Sequence, residues 1–199
     1  MEPLVYGLLI LTSVVGLAFI VERGLVLRWS RVIPPQVQSA LESCQTPEDV
    51  PMLQRVCRQN DSALSRLLLL AADHQGWPRD ENVDALQTRA RQEVARLERG
   101  LVVLEIIVGI APLLGLVGTI AGMMTLFGNI GQSGLNDASL LANGIALILN
   151  ATLLGLLIAI PSLIFWSYYS KKVETIAVEL ETMCDEFVRR LYRKDPAQK

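Results

Sequence analysis

Residues 101–127, LVVLEIIVGIAPLLGLVGTIAGMMTLF, leave few options for what this chain folds into. At about 1.5 Å per residue, a helix of that length more than crosses a hydrocarbon core of about 30 Å. The stretch carries Gly109, Gly115, Gly118 and Gly122, with Thr119 among them and Pro112 near the middle. A lipid-facing anchor needs only bulk and apolarity, whereas small residues three and four apart let another helix backbone come close. The expectation is a membrane span that touches protein over much of its surface.

Composition agrees, with 51% hydrophobic residues and a mean hydropathy of +0.38. Charge placement says more than the net charge of -2. All eighteen Lys and Arg fall within 23–99 and 171–199, and 128–139 has none. Inner-face loops collect Lys and Arg, so both blocks belong inside, which fits three spans and an outer N-terminus. Cys44, Cys57 and Cys184 fall in those inner segments, match no metal spacing and read as small apolar residues.

In chain order, 1–29 form the first span. Met1-Glu2-Pro3 lacks the basic start of a cleaved leader, and Arg23, Arg28 and Arg31 with Trp29 mark the inner interface. Residues 30–79 form a small cytoplasmic helical region, broken from the membrane by Pro34-Pro35. Thr46-Pro47-Glu48-Asp49 starts one short helix, and Asn60-Asp61-Ser62 starts another with Leu64, Leu67, Leu68 and Ala71 on one face. From Asp80, apolar positions recur at helical spacing into the central span with no break signal, so 80–127 reads as one continuous helix. Residues 128–139 make a periplasmic turn. The third span and a C-terminal helix occupy 140–193, with Trp166, Tyr168 and Tyr169 as an inner aromatic belt, and 194–199 are a tail. The fold class is thus an all-α integral membrane protein with three transmembrane helices, the second and third extended into the cytoplasm. A hairpin of this design cannot cover its own small-residue faces, which favours a ring-forming homo-oligomer.

Ala111-Pro112-Leu113-Leu114-Gly115-Leu116-Val117-Gly118-Thr119 closely resembles the APLLGLLGT signature of the MotA/TolQ/ExbB proton-channel family, most like its TolQ/ExbB branch. Gly144-Ile145-Ala146, Ala151-Thr152, Gly155-Leu156 and Ala159-Ile160-Pro161 resemble that branch's third-span pattern. The two motifs and an upstream span cover essentially the whole chain. The resemblance implies a homopentameric ring in the bacterial inner membrane around an ExbD/TolR-like single-span partner bearing a membrane aspartate. It also implies that proton flow energises a periplasmic or outer-membrane process. The flagellar-stator branch fits less well, because it has four spans and a longer cytoplasmic region.

Thr119 and Thr152 each match a threonine that the family places in its transport pathway. A hydroxyl donates and accepts, so it can hold water or a protonated carboxyl without carrying charge; the plainer reading is that each bonds back to its own helix. Glu105 lies one heptad from Pro112 and two from Thr119, and an acid inside a span is costly unless it faces water or a partner. The plainer reading puts it at headgroup level, and the family pattern requires no acid there. The branch's usual third-span glutamate is Leu147 here, so that carboxylate role does not transfer. Asn143 and Asn150 lie within about 60° of Leu147 on a helix wheel, and Asn150 either replaces part of the missing hydrogen bonding or serves as glue between helices. The remaining small and kinking residues, Gly155 and Pro161 with Pro112, Gly115, Gly118 and Gly122, serve helix packing. Hydroxyls and amides alone pass protons poorly, so the chain is expected to be half of a channel. A non-conducting scaffold of the same fold is the rival reading.

The other signals are bland. His74 has no ligand-spaced neighbours and reads as a solvated helix-end residue. Arg89, Arg91, Arg96 and Arg99, interspersed with Glu93 and Glu98, read as a solvated face or subunit contact, not a nucleic-acid site. No nucleophile has a visible base partner, so no enzyme, cofactor or metal is expected.

Overall fold

The computed structural model describes residues 2–133 and 138–192; within its helices the side chains of residues 2, 129–133, 138–141, 143 and 147 lie outside that description. Regular structure among the described residues is helical: α1 Glu2–Val26, α2 Trp29–Val32, α3 Pro35–Ser43, a 3-10 turn Pro47–Asp49, α4 Val50–Gln59, α5 Ala63–Asp73, α6 Arg79–Glu98, α7 Leu101–Ser133 and α8 Ala138–Leu191. Three helices are long and apolar enough to cross a membrane, over Pro3–Val26, Leu101–Gly128 and Gly144–Leu191. The chain divides into two units, Met1–Arg23 with Gly100–Tyr169 and Gly24–Arg99 with Ser170–Lys199.

In the first unit the three helices run up, down and up. Gly118 of α7 lies against Val5 of α1, and Gly16 of α1 lies against Ile107, so α1 and α7 are antiparallel. α8 returns parallel to α1: Ser162 sits beside Gly16, and the Tyr169 hydroxyl donates to the Ile20 carbonyl at 2.9 Å. Large apolar side chains such as Leu113, Ile120, Leu149 and Leu157 stay exposed on the outside, as lipid contact requires.

The second unit has an aqueous-style core of Leu27, Ile33, Val37, Leu53, Leu64, Leu67, Leu68, Ile176 and Phe187. Its helices start where the chemistry says they should. Ser62 caps α5, its hydroxyl accepting from the Ser65 amide at 3.1 Å. Thr46 and Asp49 form a reciprocal capping box, and the Thr46 hydroxyl bond holds the Asp49 carboxyl below its ordinary value. Arg190 donates to the carbonyls of Leu41 and Cys44 at 2.9 and 3.1 Å, satisfying the open end of α3. Asn82 donates to the Ala71 carbonyl at 3.0 Å and to the Tyr192 hydroxyl at 2.9 Å, tying the start of α6 to the end of α5. Burial pushes the Cys57 thiol up to about 11, which keeps it protonated and inert.

Several boundaries differ from expectation. The continuous helix expected over 80–127 is two helices, α6 and α7, meeting at Arg99–Gly100. A Cβ on Gly100 would run into the Arg23 guanidinium, which is buried and paired with Glu22 at 2.9 Å. The break therefore sits where a partner distant in sequence occupies the space a side chain would need. The first span ends as a helix at Val26, not 29. The expected turn 128–139 narrows, because α7 continues through Ser133 and α8 begins at Ala138; a glycine such as Gly128 weakens a helix by about 1 kcal/mol without forbidding it. Gly134 and Asn136 of that turn and the tail 194–199 lie outside the described residues. Pro34-Pro35 is a start as well as a break, with Pro35 at the first position of α3. Glu93 is not solvated but 1% exposed. His74 stacks on Trp77 with ring centroids 3.8 Å apart.

Candidate functional site

The contact between α7 and α8 is built from glycines. A Cβ on Gly155 would lie 2.6 Å from the Ala111 carbonyl oxygen and 3.2 Å from Gly115 Cα, and one on Gly115 would lie 3.0 Å from Thr152 Cα. One on Gly118 would lie 2.7 Å from Ala151 Cβ, and one on Gly122 would lie 2.7 Å from Ile148 Cγ1. The pairs advance along α7 as they retreat along α8, so the helices are antiparallel, their backbones touch, and these glycine faces cover each other within one chain, contrary to the expectation that the hairpin needs other copies to cover them. In an apolar solvent, where burial gives little drive, that closeness is what dispersion and polar contacts need.

The polar groups follow from this seam. Thr152 sits beside Ala151, and its hydroxyl donates across the contact to the Gly115 carbonyl at 3.3 Å. By helical pairing that carbonyl also receives the backbone amide of Thr119. The Thr119 hydroxyl itself donates to Leu116 of its own helix at 2.6 Å, which matches the plainer reading of that side chain. Both threonines are half-buried.

Residue order decides which side of the seam each group occupies. Thr119 follows the contact residue Gly118, and Thr152 follows Ala151. A step of one residue turns 100°, and in an antiparallel pair the residues following the contacts fall on the same side. Glu105 and Pro112 follow the buried residues Leu104 and Ala111, so they join that side. Glu105 is exposed, and Pro112 half-buried. Asn150 precedes Ala151 and is exposed on the opposite flank. The structure thus gathers Thr119, Thr152 and Glu105 on one flank and separates Asn150 from them. The side chains of Asn143 and Leu147 lie outside the described residues.

Pro112 has no N–H to give the Val108 carbonyl, and Pro161 none to give Leu157, so each removes one intrahelical hydrogen bond within a span. Ser162, which sequence reasoning passed over, is buried; its hydroxyl donates to Ile158 at 2.8 Å and lies against Gly16 of α1. Gly144, part of the third-span motif, also admits Leu126, whose Cδ1 would be 2.5 Å from a Cβ there. Both belong to the run of small residues on the α8 seam, which is the signal that finds them. Among the described residues no three His, Cys, Asp or Glu side chains are grouped to hold a metal.

The second unit has its own buried charge. Glu93 is bonded by Arg66 at 2.7 and 3.1 Å, by Arg96 at 3.0 Å and by Arg89 at 3.2 Å, and Arg66 also pairs with Asp61. Burial works to raise the carboxyl of Glu93, but the arginines, Arg66 first, hold it below its ordinary value.

Comparison with known proteins places these features in context. The chain is 38% identical over 87 residues to a biopolymer transport protein ExbB of Helicobacter pylori, covering 44% of this chain and 60% of that one. It is 32% identical over 108 residues to an ExbB of Aquifex aeolicus, covering 54% and 72%. Over 193 residues it is 26% identical to an ExbB-like protein of Synechocystis, covering 94% and 91%. The first of these alignments thus spans three fifths of its relative's length. The family model described as the MotA/TolQ/ExbB proton channel family matches residues 55–182, which include the α7–α8 seam and its two threonines. With three apolar helices it is a multi-pass membrane protein, and it belongs to the MotA/TolQ/ExbB proton channel family.

Proposed function

We propose that this chain is the ring subunit of a proton-driven motor of the TolQ/ExbB type, set in the bacterial inner membrane with its N-terminus in the periplasm and its C-terminus in the cytoplasm. Several copies, five if the family's pattern holds, surround an ExbD/TolR-like helix whose membrane aspartate carries the proton. What carries this reading is the placement of Thr119 and Thr152 on one flank of a glycine seam, their hydroxyls bonded to the adjacent carbonyls of Leu116 and Gly115. Such a flank offers donors and acceptors without charge, and so supplies a wet wall against which an acid can load and release its proton. A charge falling through 100 mV releases about 2.3 kcal/mol, enough to bias a conformational step in the partner. Asn150, on the other flank, serves contact between copies instead of the pathway.

The test is proton uptake in vesicles holding the chain with an ExbD-like protein. Flux is expected with the pair, and Thr152→Val is expected to reduce it at least tenfold while the complex still forms. A second reading rests on Leu147, which replaces the usual glutamate of this branch: a scaffold that keeps the ring but carries no current. Absence of flux with every partner that co-purifies establishes the scaffold instead.

A further inference from the structure

The second unit holds an open cleft of about 660 Å³ whose wall includes Arg31, Arg66 and Arg96. Its chemistry departs from that of an ordinary charged surface in two ways. Its lining sets three guanidinium groups, Arg31, Arg66 and Arg96, against two carboxylates, Glu93 and Asp61, and those two are already engaged by Arg66 and Arg96 and, from outside the lining, by Arg89. The surplus is positive, and Arg31 carries it with no hydrogen bond or ion pair from its guanidinium among the described residues. Ser30, Gln36 and Asn60 add neutral polar groups to the same wall. Glu93, clamped among its arginines, holds Arg66 and Arg96 in place, so two of the three guanidinium groups are pre-positioned.

The cleft's position along the chain suggests what fills it. Val26, the last residue of the first apolar span, lines it, and so does Leu97, which lies four residues before the second span begins at Leu101. Two spans therefore leave the hydrocarbon within a few residues of this wall. At such a boundary the abundant anions are phosphates, and arginine forks match phosphate oxygens in pairs.

We propose that this cleft binds a phosphate group, with Arg31, Arg66 and Arg96 as its donors, supplied by the headgroup of an anionic lipid or by a soluble phosphate. The site is separate from the threonine flank and stands whether or not the chain conducts protons.

The experiment uses the full chain in a neutral detergent. Binding of phosphatidylglycerol and phosphatidylcholine is measured by native mass spectrometry, and binding of inorganic phosphate by titration calorimetry. Arg31→Gln removes a guanidinium that makes no other bond, so it leaves the fold intact, and Arg28→Gln removes an exposed arginine outside the cleft. The expected result is selective retention of phosphatidylglycerol, weakened about fivefold by Arg31→Gln and unchanged by Arg28→Gln. If inorganic phosphate binds with that same pattern and phosphatidylglycerol shows no preference, the site stands and its source is soluble phosphate. The proposal is overturned if neither probe binds, or if Arg28→Gln weakens binding as much as Arg31→Gln, since that is diffuse attraction and not a site.

Discussion

Gly155 lets the Ala111 carbonyl approach to a distance at which a methyl group would be only 2.6 Å from the oxygen, and the obstructing atom is backbone, not a side-chain tip that can swing away. Gly155→Ala must therefore push the two helices apart, at a cost of about 1–3 kcal/mol for overpacking. The same shift lengthens the Thr152–Gly115 bond, already 3.3 Å, beyond useful range. Gly109 has nothing within 4 Å of where its Cβ would be, so Gly109→Ala is expected to leave stability unchanged or slightly raised. Thermal unfolding of the two variants in the same detergent checks the pair, and equal midpoints for both would mean that the seam is not close-packed. The seam itself was legible in the sequence, because Gly115, Gly118 and Gly122 announce a backbone contact by spacing alone. Which flank each polar residue takes was not. Asn150 and Thr152 are two residues apart, and only the contact at Ala151 shows that they fall on opposite sides.

Helix α6 presents a different balance, in which a carboxylate takes a core position. Glu93 lies seven residues after Leu86 and four before Leu97, on the stripe that faces inward, and it is 1% exposed. In sequence Leu86 and Leu97 recur at helical spacing with Val83, Ala90, Val94 and Leu101, but Glu93 among arginines reads as solvated, because its main partner, Arg66, comes from α5 and no local pattern announces it. The break at Gly100 was hidden for the same reason, since Arg23 of α1 makes it. Spans, by contrast, were readable because apolarity over a membrane's width needs no partner to be interpreted. A consequence belongs to α6 and α5 together. Glu93 has a lowered carboxyl value in the folded chain, so its ionised form contributes stability above the ordinary value of 4.5, and the contribution is lost as pH falls through the lower folded value. Glu93→Gln leaves three arginines facing a neutral amide and is expected to cost about 3 kcal/mol or more at pH 7. Its unfolding midpoint should also change less than the wild type's below pH 4.5, with Asp49 supplying part of the remaining acid dependence. Parallel acid limbs for the two proteins would remove Glu93 from the account.

For the molecule as a whole the question is what covers the flank that carries Glu105, Thr119 and Thr152. In a single copy Glu105 is exposed on a helix whose other outward residues, Val102, Ile106, Ile110 and Leu113, are apolar. A carboxylate facing hydrocarbon costs on the order of 2.5–3.5 kcal/mol even by the mildest insertion scales. That cost disappears if the flank turns toward water or toward the same flank of other copies, and a closed ring does this for every subunit at once without leaving an unmatched surface. The opposite flank, with Asn150, is then free to meet a neighbour's α7 or α8, where an amide can hydrogen-bond across helices. The expected outcome is a particle in gentle detergent whose mass, by native mass spectrometry, is a multiple, two or more, of the chain's 21.9 kDa. Glu105→Leu separates the two explanations of that particle. If the acid alone forces assembly, its replacement by an apolar residue yields monomers. If other contacts between copies, such as the Asn150 amide, hold the particle together, the multiple persists and only proton flux with the partner changes. A wild-type chain that runs as a monomer across mild detergents would leave Glu105 facing lipid and remove the ring from the argument.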